Sequence, residues 1–298
     1  MQEKIRFSHM REIIIFGVSV YGRAVYRKLK DNGNFSIKYF VDNDSRKQGM
    51  KFDGVSIVAP NELISIPFDQ IIIAGRSVEE MVNQIEELGI SYSKIKIMKK
   101  HELSLNKAER KKKNDKINEI LTILIPLLDE NNINYWFDYS SLLSLFRSND
   151  LAEFSDIDIA LNSSDTAFKL WTILESSSFK DTHLIDCKTF PIDTAFSKKG
   201  DAMQITIISK GEPWEEHAVF DIHTKYLDKD QYKHMISPNV HFCPSTYLNG
   251  HDNFNYNIFE LRIPKDVESY LSLLYGKDWM SPAEFWTSSS YGNIDSNS

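Results

Sequence analysis

Cysteine is almost missing: Cys187 and Cys243 are the only two in 298 residues, and no short spacing joins them. That excludes a disulfide framework and a cysteine-based zinc site. Long apolar runs are missing too, since none approaches the roughly 18 residues that a membrane helix needs. The opening, MQEKIRFSHMREIII, lacks the small-residue cleavage pattern of a secretory signal. The cytoplasm is therefore the expected place, with peripheral attachment to a membrane left open. A surplus of positive charge is also absent. Lys and Arg number 35 against 42 Asp and Glu, a formal net charge of −7. No general attraction draws such a chain to nucleic acid, which argues against a polymerase but not against a small nucleotide as ligand. What is present, 42% hydrophobic and 12% aromatic residues, suffices for a substantial core, and the length makes two domains the expectation.

The first hundred residues alternate short apolar runs with helical patterns. EIIIF at 12 to 16 breaks into GVSVYGR and then a helical stretch with Ala24, Val25 and Leu29 on one face. IKYFV at 37 to 41, VSIV at 55 to 58, QIIIAG at 70 to 75 and KIKI at 94 to 97 follow, with the amphipathic EEMVNQIEELG between the last two. Strands alternating with helices imply a parallel sheet covered on both faces, and residues 1–98 are expected to form an α/β Rossmann-like domain. Gly17, Ser19 and Gly22 stand where a glycine-rich turn meets the phosphates of a nucleotide or sugar nucleotide. Asp42, closing the second strand, stands where a carboxylate meets a ribose hydroxyl. The spacing G-x-x-x-x-G departs from G-x-G-x-x-G, and the same glycines would also serve simple turn packing.

Residues 99–116 turn charged, KKHELSLNKAERKKKNDK, which reads as a linker or an exposed first helical turn. Lys111, Lys112 and Lys113 suit either a solvated face or an anionic partner. Beyond it Ile117, Ile120, Leu121, Leu124 and Leu128 recur at helical spacing, and Pro126 is expected to kink that helix or end its regular part. Residues 117–286 form the expected second domain. The polar, serine-rich 287–298 are expected to be a disordered tail.

Within the second domain EFSDIDIAL, residues 153 to 161, places Ile157, Ile159 and Leu161 on one strand face and Asp156, Asp158 and Ala160 on the other. Two carboxylates held on one face repel, so they either sit in water or share a cation. Upstream, the strand YWF at 135 to 137 enters a small-residue turn at Ser140 and Ser141, then a short helix with Leu142, Leu143, Phe146 and Arg147. Strand, small turn, helix, then a strand with D-x-D is the layout of the nucleotidyltransferase fold of polymerase-beta type, an α+β arrangement. In it the turn lets phosphates approach the backbone and the carboxylates hold divalent metal. A third carboxylate is expected on a neighbouring strand. Asp221 in HAVFDIHTKY, sharing a face with Val219 and His223, is the candidate, with Asp193 or Asp201 as fallback. Tyr135, Trp136 and Trp279 would either stack on a base or sugar or pack in the core.

The segment from Tyr135 to Leu161 resembles the LicD family, to which the fukutin-related proteins belong. SSLLSLFR stands where the family reads GTLLGxxR, and SDIDIAL where it reads DDDIDI. Pro264, Tyr270, Leu271, Tyr275, Gly276, Trp279 and Pro282 resemble its C-terminal signature. The likeness covers roughly residues 114 to 286. It departs from the family where Ser140 and Ser144 replace glycines and where Phe154 and Ser155 replace acids. What it implies is transfer of a phosphorylated alcohol from a CDP-activated donor, such as CDP-choline or CDP-ribitol, to a sugar hydroxyl of a bacterial surface polysaccharide, releasing CMP. Asp156, Asp158 and Asp221 would be catalytic and hold Mg²⁺ or Mn²⁺, while Ser140, Ser141 and Arg147 would contact the donor. Two alternatives stay open: a nucleotidyltransferase that releases pyrophosphate from a triphosphate, and a decayed sugar-nucleotide-binding protein. The oligomeric state is not legible.

Overall fold

The computed structural model describes residues 10–30, 32–74, 78–98, 107–153, 156–210, 218–236, 239–282 and 290–295. One compact unit runs up to Asn106, and a second begins at Lys107. Among the described residues no helix is long and apolar enough to cross a membrane.

In the first unit β1 (Arg11–Phe16), α1 (Val20–Leu29), β2 (Phe35–Val41), β3 (Lys51–Phe52), β4 (Val55–Val58), β5 (Gln70–Ile73), α2 (Val78–Glu87) and β6 (Ile95–Ile97) follow one another. The sheet order is β3-β4-β2-β1-β5-β6, parallel except for the short edge strand β3. The apolar run of β1 explains its central place. Ile13 and Ile15 pack with Val25, Tyr26 and Leu29 of α1, while Ile14 and Phe16 pack with Val82 and Ile85 of α2. A strand buried on both faces cannot alternate with polar residues, and this is the doubly covered sheet of a Rossmann-like domain. Strand β3, two residues long, carried too little pattern to be foreseen.

The second unit comprises α3 (Lys107–Glu130), β7 (Tyr135–Phe137), α4 (Tyr139–Ser148), β8 (Ile157–Leu161), α5 (Ser164–Ser176), α6 (Phe179–Thr182), β9 (His183–Thr189), β10 (Ala202–Ser209), β11 (Ala218–Thr224), β12 (Tyr226–Asp228), β13 (Gln231–Ile236), β14 (Asn239–Pro244), β15 (Asp252–Tyr256), β16 (Phe259–Ile263) and α7 (Val267–Tyr275). Its main sheet is mixed, in the order β7-β8-β11-β10-β9, and only β8 and β11 run parallel. A meander of β12, β13 and β14 and the hairpin β15–β16 complete it. Ile157, Ile159, Ile205, Ile207, Phe220 and Ile222 form one apolar core with Ile117, Ile120, Leu121, Leu124 and Leu128 of α3 and Leu170 and Leu174 of α5.

Three expectations meet the structure differently. Of the two readings of the charged stretch, linker or exposed first helical turn, residues 107–116 take the second: they are the first turns of α3, where Lys111 pairs with Asp115 one turn on at 2.7 Å; residues 99–106 lie outside the described ones. Pro126 does not end the helix, which continues to Glu130. Residues 290–295, expected in a disordered tail, are ordered against β14, where Asn293 is fully buried. The Asn293 carboxamide donates to the Phe242 carbonyl at 2.9 Å and to the Tyr139 hydroxyl at 3.3 Å, and Phe242 N–H donates to the Asn293 carbonyl at 2.9 Å. A polar segment with buried partners for its amides stays in place despite its composition.

Among the described residues, each unit's buried clusters are built from its own residues. A chain beginning at Lys107 is therefore expected to melt cooperatively with native-like circular dichroism; aggregation of that fragment would place the boundary elsewhere.

Candidate active site

The main sheet of the second unit has one apolar and one polar face, because the side-chain period of a strand is two. In the ladder Asp158 of β8 lies opposite Asp221 of β11, Asp221 opposite Thr206 of β10, and Thr206 opposite Asp186 of β9. Asp156 stands just ahead of β8, so the strand opens one residue later than its pattern predicts. Asp156 and Asp158 are almost fully buried, at 8% and 9% exposure.

The turn into α4 meets this row. Asp158 Oδ2 accepts from the Ser140 N–H at 3.0 Å and from the Ser140 hydroxyl, and the Asp158 N–H donates to Ser141 Oγ at 2.7 Å. Asp221 Oδ1 accepts from Gln204 Nε2 at 2.7 Å and from the Thr206 hydroxyl at 3.0 Å. His223 Nε2 stands 3.8 Å from Asp158 Oδ1, an ion-pair rather than a hydrogen-bond distance.

Electrostatics mark the spot. Burial pushes Asp158 above the usual carboxylate range; His223 opposes that and the Asp156 charge adds to it. Asp221 is pushed up the same way, by burial first, against His223, and then by the charges of Asp156 and Asp158. His223 is pulled down by burial, but Asp158 and Asp221 outweigh that and leave it raised. Asp158 and Asp221, two buried carboxylates that resist ionisation, and Asp156 beside them are hard oxygen donors short of positive charge, and Mg²⁺ or Mn²⁺ fits that donor chemistry. Among the described residues no group of three or more His, Cys, Asp or Glu side chains is already arranged to hold a metal ion.

Other expected residues lie elsewhere. Arg147 donates to the Trp279 carbonyl through Nε at 2.6 Å and to the Ser281 carbonyl at 3.0 Å, tying down the segment after α7 rather than facing phosphate. Tyr135, Trp136 and Trp279 pack in the core, and Trp136 Nε1 donates to the Gly250 carbonyl at 2.7 Å. Asp193 and Asp201 accept the Lys199 and Lys198 N–H groups, both at 2.8 Å, and so cap their own loop. Ser144, at a family glycine position, is buried and donates to the Ser141 carbonyl at 2.9 Å. Phe154, Ser155 and the side chain of Val219 lie outside the described residues.

In the first unit Gly17 has φ +92°, and a Cβ on Gly22 would run into the Gly17 carbonyl oxygen, so both glycines are required by the turn itself. Ser19 is exposed at the start of α1, and its side chain makes no capping bond. Asp42 accepts from the Val18 N–H at 2.8 Å, the Asp44 N–H at 2.9 Å and Lys47 Nζ at 3.2 Å. Both of its oxygens are engaged, and it braces the turn instead of facing out toward a ribose.

Residues that sequence reasoning passed over lie behind the acidic row. Tyr139, the first residue of α4, is held at φ +41°, an uncommon and strained conformation for a bulky side chain. Its hydroxyl lies 2.9 Å from His234 Nε2 and 3.2 Å from His241 Nδ1. Burial and then Lys225 and His223 hold His234 well below the usual imidazole range; burial brings His241 to about 4, against its bond to Asn293. Both are neutral in the folded protein and take up protons near pH 6.5 when unfolded. Between those values the unfolded chain binds more protons, so stability falls as pH falls from 6.5 toward 4. His241 alone corresponds to a loss on the order of 3 kcal/mol. Melting temperatures over that range are expected to fall more steeply for the wild type than for His241→Asn, and equal slopes would contradict this.

Residues 9–96 match the family described as C2185-like, N-terminal. No curated protein matches the chain. Among solved structures, UDP-D-quinovosamine 4-dehydrogenase from Vibrio fischeri is similar at 16% identity and a TM-score of 0.27, over 30% of this chain and 77% of that one. The lincomycin-bound lincosamide antibiotic adenylyltransferase LnuA is similar at 14% identity and a TM-score of 0.33, over 57% of this chain and 89% of that one. Biliverdin reductase from Synechocystis sp. PCC 6803 is similar at 12% identity and a TM-score of 0.27, over 89% of this chain and 91% of that one. Likenesses this distant transfer no activity to this chain.

Proposed function

We propose that the second unit is a metal-dependent transferase of nucleotidyltransferase type. It moves a phosphorylated alcohol from a CDP-activated donor to a hydroxyl of a bacterial surface glycan and releases CMP. The observation that supports this is the meeting of Asp156, Asp158 and Asp221 on one polar sheet face, beside the N-terminal turn of α4 at Ser140 and Ser141. Asp156, Asp158 and Asp221 would hold Mg²⁺ or Mn²⁺, which when bound neutralises the charge of the donor's diphosphate.

The protein's own residues do the rest. Ser140 and Ser141 fix Asp158 from opposite ends, one through its side chain and one through its N–H. Gln204 and Thr206 hold one oxygen of Asp221 and so orient the carboxylate that accepts the proton of the attacking hydroxyl. The acceptor oxygen bonds to the phosphorus that carries the alcohol, and the bond from that phosphorus to the bridging oxygen breaks, so the electron pair leaves with CMP.

Incubation with glycan acceptors and Mg²⁺, using CDP-choline, CDP-ribitol or CTP as donor, tests the reading. CMP release from a CDP-alcohol supports it. Pyrophosphate release from CTP replaces it with nucleotidyl transfer. Loss of both activities together with absence of Mn²⁺ binding leaves a decayed binding protein, as the serines at family glycine positions would allow.

A further inference from the structure

Lys225 is a lysine with no exposure at all, placed directly after β11, where its N–H donates to the Leu161 carbonyl at 2.8 Å. Its Nζ lies 2.5 Å from Asp138 Oδ2 and donates to the Tyr270 hydroxyl at 2.9 Å. The Tyr270 hydroxyl in turn donates to Asp138 Oδ1 at 2.8 Å. The ring is closed, and all three groups are out of water. Burying a charged lysine and a carboxylate is costly even when they are paired, and apolar side chains of similar volume would pack there without that cost. Something other than packing accounts for them.

Asp138 supplies the answer through its neighbours. Its N–H donates to the Asp158 carbonyl at 3.0 Å, its Oδ1 accepts the Tyr139 N–H at 2.9 Å, and its carbonyl accepts the Leu142 N–H at 3.0 Å. It thus joins β8 to the first turn of α4 immediately before the strained Tyr139 and two residues before Ser140. Lys225 brings the end of β11 to the same point and Tyr270 brings α7, so three elements distant in sequence converge on one turn. The Lys225 ammonium also stands 5.3 Å from the Tyr139 ring centroid and 5.6 Å from that of Tyr270.

We propose that Lys225, Asp138 and Tyr270 are positioning residues that hold the Asp138–Ser141 turn, so that Ser140 and Asp158 are aimed before the nucleotide donor arrives. None of them touches the reacting atoms. The inference rests on the CDP-donor reading and adds to it the device that keeps a left-handed tyrosine at the mouth of the phosphate-facing turn.

Two variants separate positioning from folding. Tyr270→Phe removes a single hydroxyl and keeps the ring against Tyr247, 5.2 Å away between centroids. The triple variant Lys225→Met, Asp138→Leu, Tyr270→Phe removes every charge and polar group of the ring together, which relieves the buried charges instead of orphaning one. Melting temperature, amide hydrogen exchange at Ser140, calorimetric affinity for CDP-choline with Mn²⁺, and the kcat and KM of CMP release are measured for each. Both variants are expected to melt cooperatively near the wild-type temperature. Ser140 should exchange faster, and affinity or turnover should drop by roughly 10- to 100-fold, as when groups that orient a ligand's contacts are lost. Wild-type exchange, affinity and kinetics in the folded triple variant would overturn the proposal, since the ring would then serve packing alone. Should the wild type itself neither bind CDP-choline nor release CMP, the donor reading fails. Faster Ser140 exchange in Tyr270→Phe would then still support the positioning role, and unchanged exchange would refute it.

Discussion

Asp158→Ala is expected to abolish CMP release while the fold persists. Its carboxylate meets the Ser140 hydroxyl and N–H on one oxygen and faces His223 on the other, so it joins the turn of α4 to the acidic row. On the proposed reading, removing it takes away a metal donor and frees Ser140 at once. Metal-supplied charge stabilisation is worth several kcal/mol in such reactions, and a loss of about 4 kcal/mol is roughly a thousandfold in rate. The fold should survive because the sheet is held from its other face, where Ile157 and Ile159 are buried in the main core. Asp156→Ala should behave alike, and Asn at either position should do little better, since its geometry is kept but its charge is gone. Assays of CMP release and Mn²⁺ titration by calorimetry check the point. Turnover above about one part in a hundred in Asp158→Ala, with Mn²⁺ binding intact, would sink the assignment.

How legible this site was in the sequence depends on the range of the interactions. Asp158 and Asp221 stand out locally as candidates, because each sits at a polar position of an otherwise apolar strand and the period of two sets its face, and Asp156 just ahead of β8 is picked out by its spacing from Asp158. The doubly covered sheet of the first unit was legible for the same reason: EIIIF and QIII are apolar at successive positions, which only a strand buried on both sides tolerates. Gln204 and Thr206 gave no such sign, since polar residues in AMQITIIS read as an ordinary solvated face until β10 is set beside β11.

Lys225 was invisible for a stronger reason. TKYLDKD looks like an exposed charged turn, and only Asp138 and Tyr270, remote in the chain, make its burial tolerable. Asn293 misled in the same direction, because composition describes what a segment lacks for a core of its own and not the partners that β14 and Tyr139 offer it. Arg147 and Asp42 show the converse. Each has the right residue type for a phosphate or a ribose, yet carbonyls in one case and N–H groups in the other take up its bonding capacity. Residue type names what a side chain can do; the nearest unpaired partner decides what it does.

Asp221→Asn is expected to lose activity and gain stability together. The asparagine keeps an oxygen for Gln204 and Thr206, so the geometry around β10 survives, but it neither accepts the proton of the attacking hydroxyl nor balances a cation. Losing a proton acceptor alone costs about 10² to 10⁴-fold, so kcat should fall by at least that much. KM for the CDP-alcohol should change far less, because the group acts on the acceptor. The stability effect runs the other way. Burial and the charges of Asp156 and Asp158 raise Asp221 above its unfolded value. The folded state therefore binds its proton more tightly than the unfolded state does. Ionising this group costs stability, and the cost grows as pH rises from about 3.9 through the folded value. At neutral pH without metal, removing even about 1 kcal/mol of that repulsion raises the melting temperature by roughly 2–4 °C. Saturating Mn²⁺ should reverse the order, since a ligand that binds the folded wild type stabilises it by mass action and the variant binds it less. Melting curves at pH 4 and pH 7, with chelator and with Mn²⁺, read both signs. If Asp221→Asn kept near-normal kcat and melted with the wild type in all four conditions, Asp221 would be an ordinary strand residue. The next carboxylate along the same row, Asp186 opposite Thr206, would then be the group to test.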